Sequence, residues 1–179
     1  MAKTTQDVPV RGNDRIDNTV ADWPLKFVQH NFGAYCYSTY GCRVVYNGFD
    51  HTADPEDELQ LSSQSLGDRY PGNLDGSYLG LFNFPAPAQV RWRSRDGTPH
   101  EAEVDIGEIF RDQLILHRVP REDIAEGVSI LNPAIVLEVN DRTINVYMRA
   151  FIPTKNLQKP GNPHSGHRDE VVLAWSRTY

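Results

Sequence analysis

The stretch Gln89–Asp105, QVRWRSRDGTPHEAEVD, decides the fold class. Its first arm alternates, with Val90 and Trp92 on one face and Arg91, Arg93 and Arg95 on the other. Successive side chains of a strand point to opposite faces, so this pattern reads as a half-buried β-strand. Asp96-Gly97 follows, and Asp-Gly between two such runs is a strong hairpin signal, because both residues accept the positive φ of a tight turn. Beyond the turn, Ala102, Val104 and Ile106 supply a matching apolar row. The arginines then face Glu101, Glu103 and Asp105 across the strand pair.

A second hairpin is predicted over 134–152, AIVLEVNDRTINVYMRAFI, turning at Asn140-Asp141. Its first arm is apolar almost throughout, which predicts a central strand or one covered on both faces. Further strands are expected at Leu25–His30, Ala34–Tyr40, Cys42–Tyr46 and 170–175, with Gly33 and Gly41 as breaks or bulges. A brief strand is expected at Leu114–Leu116. One helical turn is expected at 105–110 with Asp105 as N-cap. A second, at 120–127, has Pro near its start and Gly at its end. The whole reads as mainly β (α+β being the variant), in antiparallel sheets or a sandwich with one or two short helices. At 179 residues one domain is the default. Residues 1–20 are polar and without periodicity and read as a flexible arm, leaving 21–179 as a single domain.

The stretch Asn47–Gly80 lies between strand-like segments and carries no strand signal of its own. Loops beyond about 12–15 residues are uncommon in compact domains and are usually functional or disordered. This one clusters Asp50, Asp54, Glu56, Asp57 and Glu58, and it holds Phe49, Tyr70 and Tyr78, residues that a disordered linker tends to lack. It reads as a presented surface. Asp54, Glu56, Asp57, Glu58, Tyr70 and Tyr78 are the candidate partner-binding residues. The acids also fit the start of a helix. Tyr35 and Tyr37 share a strand face, which serves either a core or a contact surface.

The formal net charge is −6, which argues against a general nucleic-acid or anionic-membrane binder. No run approaches the roughly 18 apolar residues of a membrane span. The start has no apolar leader segment, so a cytoplasmic location is expected. Two free thiols are then expected at Cys36 and Cys42. A reverse turn at Ser38–Gly41 in an oxidising compartment would instead allow a disulfide. No metal or cofactor is expected. His164 and His167 stand alone as HSGH without a third ligand. The nucleophile-elbow and phosphate-cradle motifs are absent from the sequence. Two other readings remain open at this point. One is a hydrolase using carboxylates with His51 or His100; the other is a β-type ligand or carbohydrate module using Trp23 and the tyrosines.

Three segments carry a resemblance: HNFGAYCYSTYGCRVVYNG, LFNFPAPAQVRWRSRDGTPHEAEVDIGEIF and NPAIVLEVNDRTINVYMRAFI. Across roughly residues 27–152 the chain resembles immunity proteins encoded beside type VI secretion phospholipase effectors, particularly the cytoplasmic lipase-immunity group. The resemblance implies a non-enzymatic antitoxin of bacterial competition. Such a protein binds its cognate lipase and blocks the active site or lid. Many such proteins work in the periplasm behind a leader or lipid anchor, and neither is read in this chain. The resemblance supplies no residue roles, so the six partner-binding residues rest on physical reading alone.

Overall fold

A computed structural model describes residues 23–179. The flexible arm expected at 1–20 lies outside the described residues. The described residues form eleven strands: β1 (Gln29–Tyr37), β2 (Thr39–Tyr46), β3 (Phe49–Ala53), β4 (Tyr78–Phe82), β5 (Ala88–Ser94), β6 (Pro99–Val104), β7 (Ala134–Asn140), β8 (Thr143–Arg149), β9 (Ile152–Pro153), β10 (His167–Arg168) and β11 (Val171–Thr178). A five-stranded sheet runs β11-β8-β7-β1-β4 and a four-stranded sheet runs β3-β2-β5-β6. The short pair β9-β10 stands apart. The fold is mainly β, and both expected hairpins form. Of the expected arginine–acid pairs, Arg91 faces Glu101, while Arg93 lies opposite Pro99 and Glu103 opposite Gln89. The second hairpin turns at Asp141-Arg142 rather than Asn140-Asp141. One pair departs from the antiparallel pattern, since β1 and β7 run parallel.

The sheets face each other across one core. Phe32, Ile135, Leu137, Val139, Ile144, Val146 and Met148 come from the five-stranded sheet. Val44, Tyr46, Val90, Trp92 and Val104 come from the other. Each sits in a period-two row, and burying such side chains contributes about 1.5–3 kcal/mol apiece. The charged faces of β5 and β6 look outward, and Arg91 pairs with Glu101 at 3.6 Å as the alternation predicts. Asp105 caps the single helical turn α1 (Ile106–Ile109), accepting from the Glu108 amide at 3.0 Å. The turn expected at 120–127 shrinks to a 3-10 turn, Arg121–Asp123. The strand expected at Leu114–Leu116 reduces to one bridge, Lys26 to Leu114.

Further sequence expectations are corrected. The strands expected at Leu25–His30 and Ala34–Tyr40 are one strand, β1, which runs through Gly33. The segment after Asn47-Gly48 does not leave the sheet. Asn47 (φ 52°) and Gly48 (φ 75°) form a tight turn, and β3 pairs back on β2. A bidentate Arg43–Asp50 bond (2.8 and 3.0 Å) spans that hairpin. The thiols expected to be free are joined: Cys36 and Cys42 form a disulfide with Cα atoms 6.3 Å apart. The cause is the reverse turn at Ser38, where the chain passes from one sheet to the other and brings the cysteines face to face.

His30 is fully buried. Asn83 donates its Nδ2 to Phe27 O (2.9 Å), so its Oδ1 faces His30 Nδ1 at 2.8 Å and accepts from it. His30 Nε2 then accepts from the Tyr46 hydroxyl at 3.1 Å. The neutral ring is thus fully bonded, and burial holds its pKa below the usual value, outweighing the opposing Asn83 bond. His117 shifts the same way, also through burial. A lowered folded pKa means that the unfolded chain takes up the proton first. Stability is therefore complete above about pH 6.5 and is lost as pH falls through the lowered folded value, by at most about 1.4 kcal/mol per pH unit for each group. Urea titrations between pH 7.5 and 5 should show a steeper loss in the wild type than in His30→Gln. Parallel curves would remove His30 as a cause.

Candidate functional site

Residues 54–61, DPEDELQL, form a ridge fixed to the corner where β1 turns into β2. Beyond β3 the chain keeps bonding to the first half of β2. The Asp54 amide donates to Cys42 O (3.1 Å), and the Gly41 amide donates to Pro55 O (2.9 Å). The Gln60 amide donates to Thr39 O (2.9 Å), and the Ser38 amide donates to Leu61 O (3.0 Å). Between these anchors residues 56–59 bow outward. Gly41 (φ 52°) takes a left-handed conformation that a side chain would strain, and the end of the Glu56 side chain lies over it, 2.3 Å from where a Cβ would sit. Arg93 binds the Glu56 carbonyl, approaches its carboxylate at 4.0 Å and lies over the Tyr40 ring.

The acids separate by role. Glu56, Asp57 and Glu58 are exposed, together with Leu59 and Leu61, the last with 70% of its surface in solvent. Asp54 is half-buried beside the disulfide. Burial, with a smaller contribution from the Glu58 charge, raises its carboxyl pKa. The two sulfurs and the Asp54 carboxylate lie within 4.8 Å of one another, but the sulfurs are bonded to each other. Tyr70 and Tyr78 are not part of the ridge. Tyr78 packs between Phe49 and His51 at the β3–β4 edge. Tyr70 lies on the outer face of the five-stranded sheet, its hydroxyl 3.3 Å from that of Tyr147 and its ring edge-on to Tyr37.

That outer face is covered by residues 62–77, which explains why β7 is apolar on both sides except at Glu138. Leu74 is fully buried against Val136 and Tyr37. Arg149 holds the segment down, donating to Gly72 O and Leu74 O (both 3.1 Å) and to Asp169 at 2.7 Å. Glu138 lies beneath it, fully buried. It accepts from Asn145 Nδ2 (2.8 Å) and the Tyr147 hydroxyl (3.3 Å), while its Oε1 has no partner among the described residues. The sequence reading missed Glu138 and Arg149. A lone glutamate inside the run AIVLEV was the available signal. Beside the cover an open groove of about 450 Å³ is lined by Asn31, Asp75, Leu79, Leu131, Arg149 and Asp169, among others. Its charged groups are committed to one another, Arg149 to Asp75 (3.9 Å) and Asp169.

The residues of the hydrolase reading are engaged elsewhere. His51 Nε2 bonds Tyr46 O at 3.1 Å. His100 stacks on Trp92, and its Nε2 lies 3.1 Å from Ser94 Oγ. Ser94 donates its proton to Asp96 at 2.6 Å, so the imidazole must donate to the serine and cannot act as its base. The Ser94 side chain is also fully buried. This trio secures the β5–β6 turn. Trp23 of the carbohydrate reading packs edge-on to His117 with Arg121 over its ring, not in an open aromatic strip. Comparison with protein families, characterised proteins and solved structures finds no match to this chain.

Proposed function

We propose that this protein is an inhibitor that works by contact, an immunity protein that binds a secreted antibacterial lipase and blocks its active site or lid. The observation that carries the reading is the ridge. It is an acidic, partly apolar segment whose backbone is already hydrogen-bonded to a sheet before any partner arrives. Ordering a loop on binding costs affinity, and a segment ordered in advance avoids that cost. Glu56, Asp57 and Glu58 suit a basic rim on the partner and speed encounter, while Leu59 and Leu61 supply apolar contact. The resemblance over residues 27–152 supports the same class and names the partner as a lipase. Tyr70 and Tyr78 serve the fold in this reading, and Asp54 sits at the ridge's base.

The test is enzymatic. A type VI lipase effector, as the proposed partner, is assayed on a phospholipid substrate with increasing amounts of purified protein. Inhibition that saturates at one-to-one stoichiometry is expected. Full lipase activity in excess protein, with no complex on size-exclusion chromatography, would contradict the proposal.

A further inference from the structure

We propose that the Cys36–Cys42 disulfide is a redox control on the ridge, so that the partner-binding surface is assembled only in an oxidising environment. This rests on the reading of the ridge as the binding surface. The argument begins with where the anchors lie. All four backbone bonds that hold residues 54–61 end on Ser38, Thr39, Gly41 and Cys42. Each of these residues belongs to the ring closed by the disulfide, Cys36 to Cys42. The ridge is mounted on that ring.

The ring also holds backbone that would otherwise relax. Ser38 stands at φ 53° and Gly41 at φ 52°. Left-handed backbone is uncommon for a serine, and the surrounding structure must hold it. Between Tyr40 and Arg43 the β2–β5 register shifts, so the β5 ladder does not hold this corner evenly. Thr52 adds a further link, donating to Cys42 O at 3.1 Å and accepting from the Val44 amide at 3.1 Å. Cys36 and Tyr37 stay paired to β7, and Thr39 and Tyr40 to β5, so opening the ring loosens the unpaired positions Ser38, Gly41 and Cys42, which carry three of the four anchors.

Reduction balances as thiol–disulfide exchange. Cys36 is half-buried and Cys42 fully buried, so a thiolate from a dithiol reductant reaches Cys36 first. It forms a mixed disulfide and expels the Cys42 thiolate. The reductant's second thiolate then releases Cys36. Two electrons and two protons end on the cysteines, and the reductant leaves as its own disulfide. Disulfides persist in oxidising compartments and are rare in a reducing cytosol. The chain therefore gains binding competence where disulfides form.

The experiment uses the whole chain, oxidised and after reduction with dithiothreitol, with thiol content checked by mass. Amide hydrogen exchange is followed at Ser38, Gly41, Asp54 and Gln60, the four anchor donors. Reduction is expected to speed exchange at the first three about tenfold or more, leaving the amides of β7 and β8 unchanged. Equal protection in both states would overturn the proposal. Cys36→Ala combined with Cys42→Ala should reproduce the reduced pattern, and the reduced wild type carries the test alone if that variant does not fold. A second arm adds the purified lipase, where reduction should weaken inhibition at least about tenfold. Unchanged inhibition would overturn the control. Absence of inhibition in both states, with the amide response intact, counts against the lipase reading and upholds the coupling of ring to ridge.

Discussion

Replacing Glu56, Asp57 and Glu58 together by lysine lowers the rate of association with the lipase by about ten- to a hundredfold at low salt. These three residues are exposed on a bowed, anchored segment, the Glu56 carboxylate lying over Gly41 and 4.0 Å from Arg93. Exposed charges act over the Debye length, about 10 Å at 0.1 M salt, so they steer encounter more than they hold the complex. Dissociation should change less, and the defect should shrink as salt rises. Asp54 is left in place because it is half-buried beside the disulfide, and a lysine there would disturb the mount itself. The control is a variant of the same total charge made elsewhere, Glu101→Lys with Glu103→Lys and Glu122→Lys, all exposed residues. Stopped-flow or surface-binding kinetics separate the two. An equal loss in both variants would mean that net charge acts and the ridge does not.

Gly33→Ala destabilises the fold by about 3 kcal/mol, the upper part of the range for overpacking. A Cβ on Gly33 would lie 2.1 Å from the carbonyl oxygen of Asp75, a backbone atom that cannot swing aside. Asp75 is fixed in turn by the Tyr35 hydroxyl, which bonds both its carbonyl and its amide at 3.2 Å. The cover formed by residues 62–77 must shift, exposing Leu74 and the buried side chain of Glu138 to water. For a chain of this size the melting temperature should fall by roughly 6–12 °C. Gly72→Ala is the internal comparison, since a Cβ there meets nothing closer than the Arg69 carbonyl at 3.4 Å. It should stay within about 0.5 kcal/mol of wild type. Matching melting curves for the two variants would show that the close approach at Gly33 is not what seats the cover.

The sequence shows the sandwich where local pattern and tertiary role coincide. Val90 and Trp92 alternate with arginines because one face of β5 is core and the other is solvent. The run from Ala134 to Val139 is apolar but for Glu138 because β7 is covered twice, and Asp105 marks α1 because its side chain caps the Glu108 amide. The strand β3 was not legible, since Phe49–Ala53 is short and mostly polar and is held by β2 and by Arg43. The parallel pairing of β1 with β7 was not legible either, because it joins segments about a hundred residues apart in sequence. At the candidate site the acids were visible as a cluster, but their mount was not. The bonds from Ser38, Gly41 and Gln60 are made by backbone, which carries no sequence signal. Tyr70 and Tyr78 lie near the acids in sequence but are drawn away by Tyr147 and by Phe49 and His51. The cysteine spacing was visible, and what decided the disulfide was the sheet-switching turn at Ser38.

The most direct test of binding through a pre-formed acidic ridge is a hydrogen-exchange footprint of the oxidised chain, free and in complex with the lipase. The account predicts added protection concentrated between Asp54 and Leu61 and along the adjoining start of β2, with little change at β11. Protection confined to the groove around Leu79, Leu131 and Phe151, with the ridge exchanging as in the free chain, would contradict it.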